Sequence, residues 1–198
     1  GLYVAGQSSQ NVLEYDAADG SFVRVVAATV TRGFQNPGGV ALRSSDGVLY
    51  VSSTATGEIW SYASDTGERI EPALASGLLS PQGIDLDASG ASLFVAAHST
   101  ALSDTIDAVK QLALPAGTLT TLGTTNGADF TGIAVNGAHV FAVDAALDRV
   151  VRFPVAGGSG TTVIGSGLSS PAGIVFGSAT QMWLTDTGSD RVLEYVES

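Results

Sequence analysis

The sequence predicts an all-β chain, a β-propeller of four-stranded antiparallel blades, on three observations. An aromatic-centred strand recurs five times, a β-branched and large-apolar pair follows each copy, and an x-Gly-aliphatic signature precedes four of them. The aromatic strands are Leu2-Tyr3-Val4-Ala5, Leu49-Tyr50-Val51-Ser52, Leu93-Phe94-Val95-Ala96, Val140-Phe141-Ala142-Val143 and Met182-Trp183-Leu184-Thr185, so the aromatic ring steps by 47, 44, 47 and 42 residues. The pairs are Val12 and Tyr15, Ile59 and Tyr62, Val109 and Leu112, Val150 and Phe153, and Val192 and Tyr195. The preceding signatures are Pro37-Gly38-Gly39-Val40, Pro81-Gln82-Gly83-Ile84, Phe130-Thr131-Gly132-Ile133 and Pro171-Ala172-Gly173-Ile174.

These three landmarks define strands b, c and a of each unit. Strand d follows a turn: Asp19-Gly20, Thr66-Gly67, Ala116-Gly117 and Gly157-Gly158 fall where a hairpin needs positive φ. After each comes a short strand, Phe22 to Val26, Arg69-Ile70, Leu119 to Leu122 or Thr162 to Ile164. One stretch competes, because Leu102, Ile106, Val109 and Ala113 sit at roughly helical spacing between Ser103 and Leu114. Its second half reads as strand c, since Val109 and Leu112 fall on the repeat.

The first unit opens at its strand b and the last stops after its strand c. That predicts 18 strands, about four and a half blades, the first lacking strand a and the last lacking strand d. A single propeller domain or segment then covers 1–198, with blades at about 1–33, 34–76, 77–125, 126–166 and 167–198. The strand count predicts a segment of a longer propeller, or completion by strands of neighbouring chains. Open sheet edges of that kind favour association.

Composition narrows the function classes. A net charge of −11 argues against a phosphate-tracking nucleic-acid binder. Zero cysteines exclude a disulfide framework, a zinc knuckle and a thiol nucleophile, and leave the redox compartment open. At 44% hydrophobic the chain is too apolar to be disordered, yet no apolar run reaches the roughly 18 residues of a spanning helix, so no membrane insertion is expected. The opening Gly1-Leu2-Tyr3-Val4-Ala5 shows no targeting signal, which suits a processed chain or a piece of something longer.

Pro171-Ala172-Gly173-Ile174 followed by Asp186-Thr187-Gly188-Ser189-Asp190-Arg191-Val192 resembles an NHL-type propeller repeat, and Asp144-Ala145-Ala146-Leu147-Asp148-Arg149-Val150 echoes it. The first two units depart, with Gly6 to Val12 and Ser53 to Ile59 similar to looser repeats of secreted bacterial proteins. The resemblance implies that Asp144 and Asp186 accept backbone N–H bonds within the b–c turn and face Arg149 and Arg191. NHL-like propellers include protein and RNA binders, a metal-dependent amidating lyase and calcium-dependent lactonase relatives, so the likeness speaks for fold and leaves function open.

In propellers generally, b–c loops and d–a connections share the face where ligands sit. On it fall Gly6-Gln7, Ser53-Thr54, Ala97-His98, Asp144-Ala145 and Asp186-Thr187. Gln7, Thr54 and His98 are candidate ligand-binding residues. Asp144 and Asp186 are candidate metal ligands, with calcium the expected ion and no other cofactor; the competing structural reading ties both carboxylates into their turns. His98 opens the longest b–c loop, which also carries Asp104 and Asp107, whereas His139 lies in an a–b turn on the opposite face, against a multi-histidine zinc centre. Asp85 is the odd member of strand a, where its counterparts are Ala41, Ala134 and Val175. A carboxylate there lines a wet channel or is buried at a cost, and the channel makes it a candidate ligand-binding residue. Trp60 and Trp183 are read as packing between blades. No nucleophile elbow, phosphate loop, dinucleotide fingerprint or zincin motif occurs, and no catalytic residue is assigned. The function expected is a non-catalytic binding or assembly module of a larger protein, secreted or at the cell surface, with a protein partner or neighbouring subunit meeting the incomplete terminal blades. The alternative is a metal-dependent hydrolase or lyase at the channel mouth.

Overall fold

The computed structural model describes residues 1–28, 34–98 and 106–196. Among them are 18 strands in five antiparallel sheets, each a propeller blade in which sequence neighbours pair. Blade 1 holds β1 (Leu2–Gly6), β2 (Asn11–Tyr15) and β3 (Phe22–Ala28), and blade 2 holds β4 (Pro37–Arg43), β5 (Val48–Ser53), β6 (Glu58–Ala63) and β7 (Arg69–Ala75). Blade 3 is β8 (Ile84–Leu86), β9 (Ser92–His98), β10 (Ile106–Ala113) and β11 (Thr118–Asn126). Blade 4 is β12 (Phe130–Asn136), β13 (His139–Asp144), β14 (Arg149–Pro154) and β15 (Thr161–Ile164), and blade 5 is β16 (Pro171–Phe176), β17 (Gln181–Asp186) and β18 (Arg191–Val196). Blades 1 and 2 belong to one compact unit, Gly1–Gln82, and blades 3 to 5 to a second, Gly83–Ser198.

Local chemistry sets the turns. Gly20, Gly67, Gly117 and Gly157 all take positive φ, between 70° and 88°, at the c–d hairpins. The b–c turns end on a left-handed residue as well: Gln10, Gly57, Asp148 and Asp190. The stretch of helical spacing is strand from Ile106 onward, because β10 is laddered on both sides, to β9 and to β11. Two-sided pairing outweighs a weak amphipathic period. Asp107 therefore lies in β10, not in the loop expected from the sequence, while Asp104 lies outside the described residues.

Side-chain alternation divides a middle strand such as β13 between two cores. In β13, Val140 and Ala142 join Phe94, Ala96, Val109, Phe130 and Phe153 between blades 3 and 4. Phe141 and Val143 of the same strand join Val150, Met182 and Leu184 between blades 4 and 5. In the first unit Val12, Phe34, Leu49, Val51, Trp60 and Tyr62 form the core between blades 1 and 2. Trp60 is thus a core residue, with Arg69 stacked 4.8 Å from its ring centroid. Trp183 is only half-buried, because no further sheet covers that side of blade 5 among the described residues.

The x-Gly-aliphatic signature is an irregularity at the start of strand a, with register shifts between Pro37 and Val40, Phe130 and Ile133, and Pro171 and Ile174. In blade 3 the ladder begins only at Ile84. Its glycine allows neighbouring inner strands to approach. A Cβ on Gly83 would sit 2.7 Å from the Thr131 carbonyl oxygen, and one on Gly132 would sit 3.0 Å from Gly173 Cα. The space is used for bonding across blades: Gly83 N–H donates to the Thr131 carbonyl at 2.9 Å, and the Thr131 hydroxyl donates to the Ala172 carbonyl at 2.9 Å.

Candidate functional site

The inner strands β8, β12 and β16 lie side by side in the second unit and border an open cavity of about 340 Å³. It is bordered by Ile84, Ile133, Val135, Ile174 and Phe176 with one charged residue, Asp85, and the surface they turn toward it is more polar than apolar, because several of these side chains pack into the cores between blades. The ladders confirm the repeat position: Asp85, Ala134 and Val175 stand opposite the aromatic residues Phe94, Phe141 and Trp183 in their own sheets. Where Ala134 stops at a methyl, the Asp85 carboxylate crosses to the next blade. Val135 N–H donates to Oδ2 at 2.7 Å, and Leu86 N–H donates to Oδ1 at 2.9 Å.

Burial pushes the Asp85 carboxyl above its ordinary pKa, against the opposing pull of the two amides. A carboxyl raised on folding stabilises the protein most below its unfolded pKa, near ~3.9, and that contribution is lost as pH rises through the folded value. Asp85→Asn keeps an oxygen for Val135 N–H and removes the charge. Its melting temperature is expected to exceed that of the parent at pH 7, with the gap closing in acid. Equal melting temperatures for the two proteins at both pH values would refute this.

The other candidates sit at the ends of strands b, outside that cavity. Asp144 closes β13 and is fully buried. It accepts Asp129 N–H at 3.1 Å, Leu147 N–H at 3.2 Å and Arg149 Nε at 2.9 Å. Asp186 closes β17, also buried, and accepts from the Ser189 hydroxyl and, at 2.6 Å, from Ser169 N–H. Those two bonds hold its carboxyl below the usual range, with Arg191 acting in the same direction. Thr54 donates its hydroxyl to the Asn36 carbonyl at 2.7 Å, as Thr187 does to the Ser170 carbonyl. Gln7 is exposed and its carbonyl accepts Gln10 Nε2 at 2.8 Å. His98 ends β9 with Asp107 as its ladder partner, and His139 begins β13 in the next sheet, at the opposite end of strand b.

Among the described residues no group of three or more His, Cys, Asp or Glu side chains is gathered as a metal would need. Asp144 and Asp186 each tie their own b–c turn to the connection that enters the same blade. The sequence had not singled out Asp107 as a linker. It is buried, and its Oδ2 accepts Phe130 N–H at 2.5 Å, tying blade 3 to the start of blade 4. The only signal that could have found it was its place within the β10 repeat.

No protein-family model matches this chain, and no curated protein matches it. Among solved structures, a nidogen/laminin complex matches with a TM-score of 0.82 at 17% identity, over 98% of this chain and 70% of that one. A Kuenenia stuttgartiensis hydrazine synthase matches with a TM-score of 0.68 at 15% identity, over 98% of this chain and 62% of that one. At these identities the likeness shows the fold alone, and the chain spans about two thirds of their length.

Proposed function

We propose that the chain is a non-catalytic binding and assembly module, acting outside the cell, that meets a protein partner through the free faces of blades 1 and 5. One observation carries this reading. Leu2 and Val4 of β1 are 54% and 40% exposed, whereas Leu49 and Val51, at the same repeat positions in blade 2, are fully buried. Val192 of β18 is 68% exposed, whereas its equivalent Val150 is fully buried beneath the next blade.

Both faces therefore carry the residue pattern of an inter-blade junction, without a covering sheet among the described residues. At the junctions within each unit the strand-b aliphatic residues of one blade pack on the aromatic side of the blade before it. A second copy of the chain offers both halves, its blade 1 face suiting the blade 5 face of another, in a head-to-tail contact. The similar nidogen/laminin structure, a protein–protein complex, supports partner binding as a use of this fold. The NHL-type repeat is the finer family reading, supported by the Asp144–Arg149 pair at 2.9 Å. The carboxylates spent on turns favour binding over metal-dependent catalysis.

Sedimentation of the purified chain tests the reading. Concentration-dependent association is expected, and Val192→Lys and Leu2→Glu should each weaken it by about tenfold or more, since a buried unpaired charge costs several kcal/mol. A chain that stays monomeric at high concentration would overturn assembly through these faces.

A further inference from the structure

Blade 5 carries an inference that deepens the reading of it as a partner-binding blade and rests on that reading. We propose that the open edge of β18 takes up an extended segment of a partner protein, antiparallel to β18, with an arginine opposite Glu194 and β-branched or aromatic residues on either side of it.

Repetition is the first reason. Strand c of blade 1 and strand c of blade 5 share one run, Val12-Leu13-Glu14-Tyr15 and Val192-Leu193-Glu194-Tyr195. Both copies pair with strand b in the same register, Tyr3 opposite Glu14 and Trp183 opposite Glu194. In blade 1 the next strand, β3, pairs antiparallel with β2 and sets Phe22 opposite Tyr15, Arg24 opposite Glu14 and Val25 opposite Leu13. In blade 5 the sheet ends at β18 among the described residues, so the same run has no such neighbour. The other strands c, β2, β6, β10 and β14, are each laddered on both sides. A strand with one neighbour presents a row of backbone donors and acceptors that another extended segment can fill.

Charge sets the chemistry of the incoming segment. In blade 1 Arg24 Nε donates to Glu14 Oε2 at 2.7 Å, and the Tyr3 hydroxyl donates to Oε1 at 3.3 Å. The arginine goes with the glutamate. At the same register position the other c–d pairs are Ser61 with Ile70, Gln111 with Thr120 and Arg152 with Thr161, so strand d is basic only where strand c is acidic. Glu194 is exposed, and its one hydrogen-bond partner among the described residues is the neutral Gln181 Nε2. An anion in the middle of an open edge repels acidic segments and selects a basic one. The flanking residues follow the same template: Tyr15 meets Phe22 edge-to-face with centroids 5.9 Å apart, and Tyr195 holds the place of Tyr15 in β18.

Calorimetric titration of the full chain with a peptide of the β3 sequence, Phe22–Ala28, tests the proposal, with hydrogen exchange locating the bound peptide. Saturable binding at one site is expected, with slower exchange at the β18 amides. The same peptide carrying Arg24→Glu should bind about fivefold or more weakly, and Glu194→Lys in the protein should reverse that preference. Should Glu194→Lys fail to fold, the contrast between the two peptides on the parent protein still decides. Absence of binding, equal binding of the two peptides, protection away from β18, or an unchanged preference in the folded variant would each overturn it. Peptide binding that requires copies of the chain to dissociate first would assign the edge to a second copy and overturn it as well. Sedimentation keeps the two readings apart: a monomeric chain that binds the peptide removes assembly through the faces alone, and an associating chain that ignores it removes the edge proposal alone.

Discussion

Replacing Asp144 with Ala is expected to destabilise the second unit by about 3–5 kcal/mol, the cost of taking a buried carboxylate acceptor away from three donors. The carboxylate is fully buried and serves three donors at once, Asp129 N–H, Leu147 N–H and Arg149 Nε. Alanine leaves two amides without their acceptor and the half-buried Arg149 guanidinium without its partner. Asp144→Asn retains an acceptor for the amides and should lose less. Urea denaturation with the slope held constant measures both. Equal midpoints for Asp144→Ala and the parent would show that the turn does not depend on this residue. A metal-binding role predicts the reverse, little change in stability without metal and a gain on adding calcium.

Phe153→Ala should cost a comparable 3–5 kcal/mol. Phe153 is fully buried and meets Phe130 edge-to-face with centroids 5.9 Å apart. Its ring also occupies the space left by two glycines, Gly123 of β11 and Gly160 just before β15: a Cβ on Gly123 would lie 2.5 Å from the ring, and one on Gly160 2.6 Å from Val151 and 2.7 Å from the ring. Neither glycine can grow to fill the hole, so collapse is restricted and the cavity term stays large. Phe153→Leu, which keeps most of the volume, should cost clearly less. A thermal melt comparing the two variants checks the ordering; equal losses would place the ring outside the core.

Much of the fold was legible because propeller blades repeat their physics. Aromatic strand b, the pair on strand c, the c–d glycine and the x-Gly-aliphatic start of strand a each answer a local need, so they recur at fixed spacing in the sequence. The 18 strands and the incomplete first and last sheets follow from those marks alone. Ladder pairing decided the case of β10. The hydrophobic spacing around Val109 fits a helix as well as a strand, and only neighbours on both sides distinguish them. Trp183 reads as a core aromatic by position, yet whether a sheet covers it is a property of the assembly.

Less of the candidate site was legible. Asp85 stood out by breaking the pattern of Ala41 and Ala134, and its repeat position predicted the inner wall. That its carboxylate would reach Val135 N–H on the next blade could not be read from spacing, since the two residues are 50 positions apart. For Asp144 and Asp186 the sequence favoured a role in the turn, with a metal as the alternative. Besides donors within the turn they serve Asp129 N–H and Ser169 N–H, which belong to the connection entering the same blade, and strand spacing does not show that those amides come within reach.

By itself the amino-acid order determined the blade period, the strand alternation and which residues close each turn, because these depend on contacts a few residues apart and on φ preferences of single residues. Tertiary structure decided which glycines mark a close approach between inner strands, which carboxylates are consumed as acceptors, and which apolar faces remain bare. Those outcomes depend on distances between blades, and a sequence repeat carries no record of distance.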